Sequence, residues 1–247
     1  MNQAILSRSS RSAVPVAAGE AVQRRTWTGS RMTTSRLIGA LFLAGFLLYG
    51  VGGALVASLT GAQDLLATIA AHKTLFVLGA FGMLLNTPVD VAKAVLFFPI
   101  LEQHSKRTAL TYLATMIVEV VVLTLGVLAL LMLVPLGQHA GVGWAQGLGS
   151  LAVQANALAY QVGELVLGGG ALFLCTLLFR TRLIPGWLAL SGLIGYVCLA
   201  AGCIAEIFGL HIGLLLTVPG LFFELVLPIW LFIKGFQPEA YAQGTMR

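Results

Sequence analysis

The stretch Ala109–Val134 reads ALTYLATMIVEVVVLTLGVLALLMLV, and it decides the class of fold. It is longer than the roughly 20 residues that an α-helix needs to cross a bilayer. Its second half, Leu123–Val134, is apolar on every side, which is typical of a helix that faces lipid or lies inside a bundle. A membrane β-barrel would need strands of alternating apolar and polar residues, and the chain shows no such alternation. The stretch therefore predicts an all-α integral membrane protein.

The composition of the whole chain supports this prediction. The 247 residues are 58% hydrophobic and only 9% charged, and the mean hydropathy is +0.95. A soluble domain has about 25% charged residues, so this chain has too little polar surface to cover a globule in water. Its length allows several membrane crossings with short connections and excludes a sizeable soluble domain.

Five more stretches resemble Ala109–Val134 in length and hydropathy. We predict a six-transmembrane-helix bundle with spans at Leu37–Ser58, Thr74–Leu101, Ala109–Val134, Ala157–Phe179, Gly186–Gly209 and Gly213–Lys234. Polar residues and Pro88 interrupt the second span, and a proline in mid-helix removes a backbone donor and usually kinks the helix. The connection over residues 135–156 has no charge and several glycines, and it is predicted to be either a flexible cap or a segment that dips into the headgroups.

The positions of the cations predict the orientation. Of the 14 lysine and arginine residues, all but Lys73 and Lys93 fall on one side of this topology. Short cytoplasmic loops retain Lys and Arg, so both termini are predicted to be cytoplasmic and the protein to lie in the plasma (inner) membrane. The net charge of +5 then reflects topology and contact with anionic lipid, and no nucleic-acid partner is indicated.

The two ends of the chain differ in composition from the spans. Residues 1–35 are rich in Ser and Arg and are predicted to be a disordered basic segment, ahead of a membrane domain at 36–236 and a short cytoplasmic tail at 237–247. Arg24 and Arg25 resemble a twin-arginine signal, but no small-residue cleavage site follows. Met32 begins a compact opening, MTTSRLIGALFL, and is a candidate initiator.

Ionisable residues inside the spans are the candidate functional residues. A charged side chain at the bilayer centre costs about 2.5–3.5 kcal/mol, so such residues face the bundle interior, pair or become neutral. The predicted polar intramembrane pocket comprises Asp90, Lys93, Glu119, Glu164 and Glu224, with Gln161 and Asn86 on the same helix faces. Counting residues places these acids at similar depths, and Asp90 and Lys93, three apart, are predicted to pair. Four carboxyl groups and one lysine cannot all stay ionised there, so some are expected to be protonated or neutralised by a bound cation.

Three functional interpretations follow from these residues. The first is a non-enzymatic protein whose pocket handles a small polar solute, an ion or a proton, and it implies no cofactor. The second is a structural or regulatory protein in which the polar groups only tie helices together. The third is a metal-dependent intramembrane hydrolase using His72, His139, His211 and Glu206 near the outer helix ends, although the chain has no HExxH, GxSxG or P-loop motif.

Two motifs near the carboxyl terminus resemble a known family. RTRLIPGWLALSGLIGYVCLA (Arg180–Ala200) and PGLFFELVLPIWLFIKGF (Pro219–Phe236), with the opening SRLIGALFLAGFLLYGVGG (Ser35–Gly53), are similar to bacterial membrane proteins grouped as domain of unknown function 4386. The resemblance covers about residues 33–237. It implies a six-helix bacterial inner-membrane protein whose activity is not established.

The resemblance also bears on two glutamates. Glu119 and Glu224 stand where the family tends to carry glutamate, in the third and last helices. Members often have an arginine one turn before the third-helix glutamate, where this chain has Met116. The resemblance implies that Lys93 substitutes for that missing cation.

Overall fold

The computed structural model describes residues 16–245, with side chains over residues 31–242. Residues 1–15 and 246–247, which include the first part of the predicted disordered segment and the end of the tail, lie outside the described part. The first helix runs from Val16, so residues 16–35 of the segment predicted to be disordered are helical. The start at Met32 and the other domain boundaries stay predictions.

Every regular element among the described residues is helical. The helices are α1 (Val16–Gly45), a π-helical turn (Phe46–Val51), α2 (Gly52–Thr60), α3 (Leu65–Ala71), α4 (Lys73–Glu102), α5 (Lys106–Leu131), α6 (Leu133–Leu136), a 3₁₀ turn (Gly137–His139), α7 (Gly143–Thr181), α8 (Gly186–Ile207), α9 (Gly213–Ile233) and α10 (Pro238–Thr245).

Six helical segments are long and apolar enough to cross a membrane, as predicted. We call them the first to sixth spans: Arg31–Thr60, Lys73–Glu102, Lys106–His139, Gly143–Thr181, Gly186–Ile207 and Gly213–Ile233. The second span is one continuous helix, although it contains Pro88 and Pro99.

The six spans form a ring in chain order. Each span packs against the next one in the chain, and α9 of the sixth span returns to pack against α1 of the first. The side chain of Arg31 donates a hydrogen bond to the carbonyl of Phe236, so the two ends of the membrane domain meet. We call this the terminal end of the bundle and the opposite end the far end.

Glycines set the closest helix contacts within the ring. A Cβ on Gly52 would lie 2.5 Å from the carbonyl oxygen of Gly79, where the first and second spans cross. A Cβ on Gly195 would lie 2.7 Å from the Cα of Gly220, where the fifth and sixth spans cross. Small residues allow backbones in a membrane to approach this closely, which gains dispersion energy that lipid cannot supply.

The far-end connection over residues 135–156 differs from the predicted flexible cap, because most of it is helical. The fourth span begins at Gly143, well before the predicted Ala157. Its first turns are held by packing: Ala145 and Gly149 are buried, and a Cβ on Gly149 would lie 3.2 Å from Leu66. Of the glycines that suggested a loop, Gly137 and Gly149 instead permit close contact with α3.

The terminal end is closed by a clamp, which we define as Arg31, Ser35, Leu183, Gly235 and Phe236. The backbone N–H of Phe236 donates to Ser35 Oγ at 3.1 Å, and the next N–H in the chain donates to the carbonyl of Leu183 at 2.8 Å. Phe236 is fully buried, and the predicted tail continues as the short helix α10. The clamp therefore joins the first span, the connection between the fourth and fifth spans, and the end of the sixth span.

Candidate functional site

The ring surrounds a cavity of about 250 Å³ to which all six spans contribute lining residues. It is lined by the five ionisable residues that the sequence singled out, and by Asn86: Asp90, Lys93, Glu119, Glu164 and Glu224. Gln161 does not line it. The residues that the sequence grouped by depth are therefore brought together by the fold, with that one exception.

The second span contributes a polar row along one helix face. Lys93 Nζ lies 2.7 Å from Asp90 Oδ1, and the Asn86 amide donates to the other oxygen of Asp90. The ammonium group of Lys93 also lies 4.4 Å from the ring centre of Phe42 in the first span, which is a cation–π geometry. The side chains of Asn86, Asp90 and Lys93 therefore form their hydrogen bonds and ion pair mostly with one another, within a single helix.

Glu224 is held differently, because its partner lies on another span. The Tyr196 hydroxyl donates to Glu224 Oε1 at 2.8 Å and so links the fifth span to the sixth. The ring of Tyr196 is buried against Phe223, with centroids 5.8 Å apart. The position of the Glu224 carboxylate is therefore fixed by a hydrogen bond whose donor is itself locked by packing.

Glu119 and Glu164 have no such partner. Glu119 is 3% exposed, and its Oε2 has no hydrogen-bond partner among the described residues; the same holds for Asn86 Oδ1. No hydrogen bond to Glu164 is found there either, and the carboxylates of Glu119 and Glu164 lie within electrostatic range of each other. A buried acceptor left without a donor costs about 1–3 kcal/mol. The cavity wall thus presents acceptors that lack donors.

The charges around the cavity do not balance. Four carboxyl groups line it against the single ammonium of Lys93, which already pairs with Asp90. A low-dielectric site that holds several carboxyl groups is stabilised by a positive charge or by protons. The chemistry of the wall therefore favours cations, protons and hydrogen-bond donors over anions.

The far-end part of the cavity wall is aromatic, which the sequence did not predict. The π-helical turn places Phe46, Tyr49 and Gly50 along the cavity, and Tyr49 stacks on Tyr160 with ring centroids 6.0 Å apart. Single π-helical turns within α-helices are frequent at functional sites. The sequence does hold one indication of Tyr160: it lies four residues before Glu164, and therefore on the same helix face.

The far-end histidines do not form a metal site in the described part of the chain. His211 Nδ1 lies 3.4 Å from Glu206 Oε2, while Glu206 Oε1 accepts the Gly213 N–H at 2.8 Å and thereby caps the sixth span. His139 instead lies beside Trp144. Over residues 31–242, no three His, Cys, Asp or Glu side chains are arranged to hold one ion.

These features define a helical multi-pass membrane protein with a charged, acid-rich cavity inside its ring. The chain belongs to the family described as "Domain of unknown function (DUF4386)", whose sequence model matches residues 37–235. No curated protein and no solved structure matches the chain. Membership confirms the family that the terminal motifs indicated and brings no activity with it.

Proposed function

We propose that this protein is a non-enzymatic membrane protein whose central cavity binds a small polar solute, an ion or a proton. The observation that carries the proposal is the unpartnered carboxylate of Glu119, buried in a cavity that all six spans line. A bound cation or hydrogen-bond donor satisfies this group, whereas an empty cavity leaves it at a cost of about 1–3 kcal/mol.

The structural alternative, in which polar groups only tie helices together, is less well supported by the contacts. Interhelical hydrogen bonds in membranes average about 0.6 kcal/mol, while each charge costs about 2.5–3.5 kcal/mol to insert. Of the cavity's ionisable groups, Glu224 is hydrogen-bonded to another span, and Asp90 and Lys93 pair within α4. Within residues 31–242, Glu119 and Glu164 form no hydrogen bond that would join two spans. If these groups only joined helices, the free energy of inserting their charges would exceed the free energy that their hydrogen bonds contribute.

The setting of the protein is also part of the proposal. We place both termini in the cytoplasm and the ring in the inner membrane, with the lipid bilayer as its partner. The distribution of the cations supports this orientation. So do Trp187 and Trp230, which lie edge to face at the terminal end, because Trp favours the headgroup zone.

The proposal is tested by the substitution Glu119→Gln in protein reconstituted into liposomes. Gln keeps the size of the side chain and removes its charge, so we expect the movement of protons or of small cations such as K⁺ to fall at least about tenfold, equivalent to about 1.4 kcal/mol. Flux is read with dyes for internal pH and membrane potential across a series of external pH values.

Glu102→Gln is the matched control, because Glu102 is exposed, lies 4.0 Å from Lys106 and does not line the cavity. It should leave flux unchanged. Native mass spectrometry of the protein in lipid particles adds a second readout, with retained small ligands expected in the wild type and lost in Glu119→Gln. Equal flux in the wild type, Glu119→Gln and Glu102→Gln, together with mass spectra that show no bound ligand, would favour the structural alternative.

A further inference from the structure

The cavity has an opening on one side of the ring. Among its lining residues only Gly50 and Leu221 are exposed, and they lie on the first and sixth spans. These two spans pack together through α1, whereas the π-helical turn and α2 pack on α4 instead of α9. The two spans therefore separate toward the far end, and the opening, which we call the mouth, lies between Phe46–Val51 and the sixth span.

The rim of the mouth is apolar. Leu47 and Val51 on the first span and Val218 on the sixth span are more than half exposed, at 66%, 54% and 56%. Exposed aliphatic side chains in a membrane span face lipid. A molecule that reaches the mouth therefore comes from the bilayer, and only a molecule with an apolar part concentrates there.

The wall behind the mouth selects for positively charged hydrogen-bond donors. Glu119 Oε2 and Asn86 Oδ1 are buried acceptors without donors, and Glu164 adds a carboxylate. The stacked rings of Tyr49 and Tyr160 beside them offer the aromatic faces that attract organic cations. An ammonium group with N–H bonds satisfies both features, whereas a quaternary ammonium has no hydrogen to donate.

The volume of the cavity limits the size of such a molecule. A protein cavity of about 150 Å³ is known to hold benzene. A cavity of about 250 Å³ therefore accepts one ring or a short alkyl chain together with an ammonium group.

We propose that the cavity binds a small amphiphilic primary amine, which enters from the bilayer through the mouth between the first and sixth spans. This inference rests on the proposed function and names the class of solute that the same pocket takes. The ammonium group sits among Glu119, Glu164 and Asn86, and the apolar body lies toward Tyr49 and Tyr160.

The ligand class is tested by titration calorimetry on the protein in lipid discs, with empty discs as the measure of partition into lipid. The probes are 2-phenylethylamine, its N,N,N-trimethyl analogue and 2-phenylethanol. We expect the primary amine to bind at least tenfold more tightly than the other two. We also expect Glu119→Gln to weaken amine binding at least tenfold and Glu102→Gln to leave it unchanged. Equal binding of the three probes, or of amine to wild type and Glu119→Gln, overturns the assignment.

The route is tested with Gly50→Phe. A Cβ at Gly50 meets no atom within 4 Å and Gly50 is exposed, so a side chain can be added there, and the ring of phenylalanine is expected to narrow the mouth. Gly169→Phe is the control, because Gly169 is equally open and exposed but lies on the fourth span away from the cavity. We expect the association rate of the amine to fall at least tenfold in Gly50→Phe and to stay unchanged in Gly169→Phe. Equal rates in both variants overturn the lateral route.

The two proposals fail in different ways. Proton or K⁺ flux that depends on Glu119, without binding of the amine, overturns this inference and leaves the proposed function standing. The absence of any Glu119-dependent flux or binding overturns both.

Discussion

Gly235 shows what the family's carboxy-terminal motif does at the level of single residues. Its φ of +67° lies in the left-handed region, which L side chains rarely adopt. The turn it makes directs Phe236 into the core and its N–H to Ser35. The end of this motif is therefore a structural clamp, while Gly220, Leu221 and Glu224 earlier in the same motif line the cavity.

We predict that Gly235→Ala lowers stability by about 1–3 kcal/mol, because strain in the left-handed region adds to crowding. A Cβ at this position would lie 2.7 Å from Met32 Sδ. The measurement is the unfolding midpoint in detergent micelles. Gly209→Ala is the control, because Gly209 has a φ of +81° but open space around it, so it reports the strain alone. A Gly235→Ala protein no less stable than Gly209→Ala would contradict the crowding contribution.

Single residues also show how far the site could be predicted. The charged residues were found because the bilayer penalises them wherever they lie in a span. Gln161, three residues before Glu164, was expected on the same face but lies about 60° around the helix from it, outside the cavity wall. Tyr160, four residues before, lies only about 40° away and lines the cavity. Tyrosine carries no insertion penalty comparable to that of a charge, so hydropathy gave no signal for it.

At the level of elements, the π-helical turn Phe46–Val51 has the largest effect on the site. Tyr49 lies seven residues after Phe42 and would face the cavity in a regular α-helix too, whereas the wider turn brings Gly50 to the cavity as well. Hydropathy predicted the first span but could not predict this turn, because widening one turn changes no side chain's polarity. Composition alone likewise predicts a flexible connection over the start of the fourth span, because glycine disfavours a helix unless packing holds it.

The crossing of the first and second spans provides a test within one helix. We predict that Gly52→Ala destabilises the protein by about 1–3 kcal/mol, because its Cβ would overlap the backbone of Gly79. Gly53→Ala is the neighbouring control: its Cβ meets no atom within 4 Å, so the change should be neutral or stabilise the helix by up to about 1 kcal/mol. Unfolding in mixed micelles measures both variants, and equal stabilities would show that the two spans do not cross at Gly52.

For the whole molecule, the sequence predicted the number of spans and the order in which they follow one another. It did not predict the ring, because apolar helix surfaces such as that of Ala109–Val134 are compatible with many neighbours in lipid. The ring follows from specific contacts, such as Gly195 against Gly220 and Arg31 against Phe236. Those contacts depend on shape and backbone geometry, which hydropathy does not encode.

The ring also explains where the mouth lies. Neighbouring spans are joined by short connections, such as the one between Glu102 and Lys106, whereas the first and sixth spans are joined by no connection of the chain. The clamp holds those two spans together at the terminal end alone. This is the boundary at which two spans can separate without stretching a loop.

The meeting of Arg31 and Phe236 has a consequence for chain connectivity. Because the two ends of the membrane domain are adjacent, a flexible linker from residue 237 to residue 31 should join them, and the chain can then be cut between Glu102 and Lys106 on the same side of the membrane. We expect this circular permutant to insert and fold, and to bind the same ligand as the native order, as checked by size-exclusion chromatography and calorimetry. Permutants cut instead in the 208–212 connection would place their new ends on the opposite side of the bilayer and should fail to insert. The order of the spans around the ring would then be a property of their surfaces, independent of where translation begins.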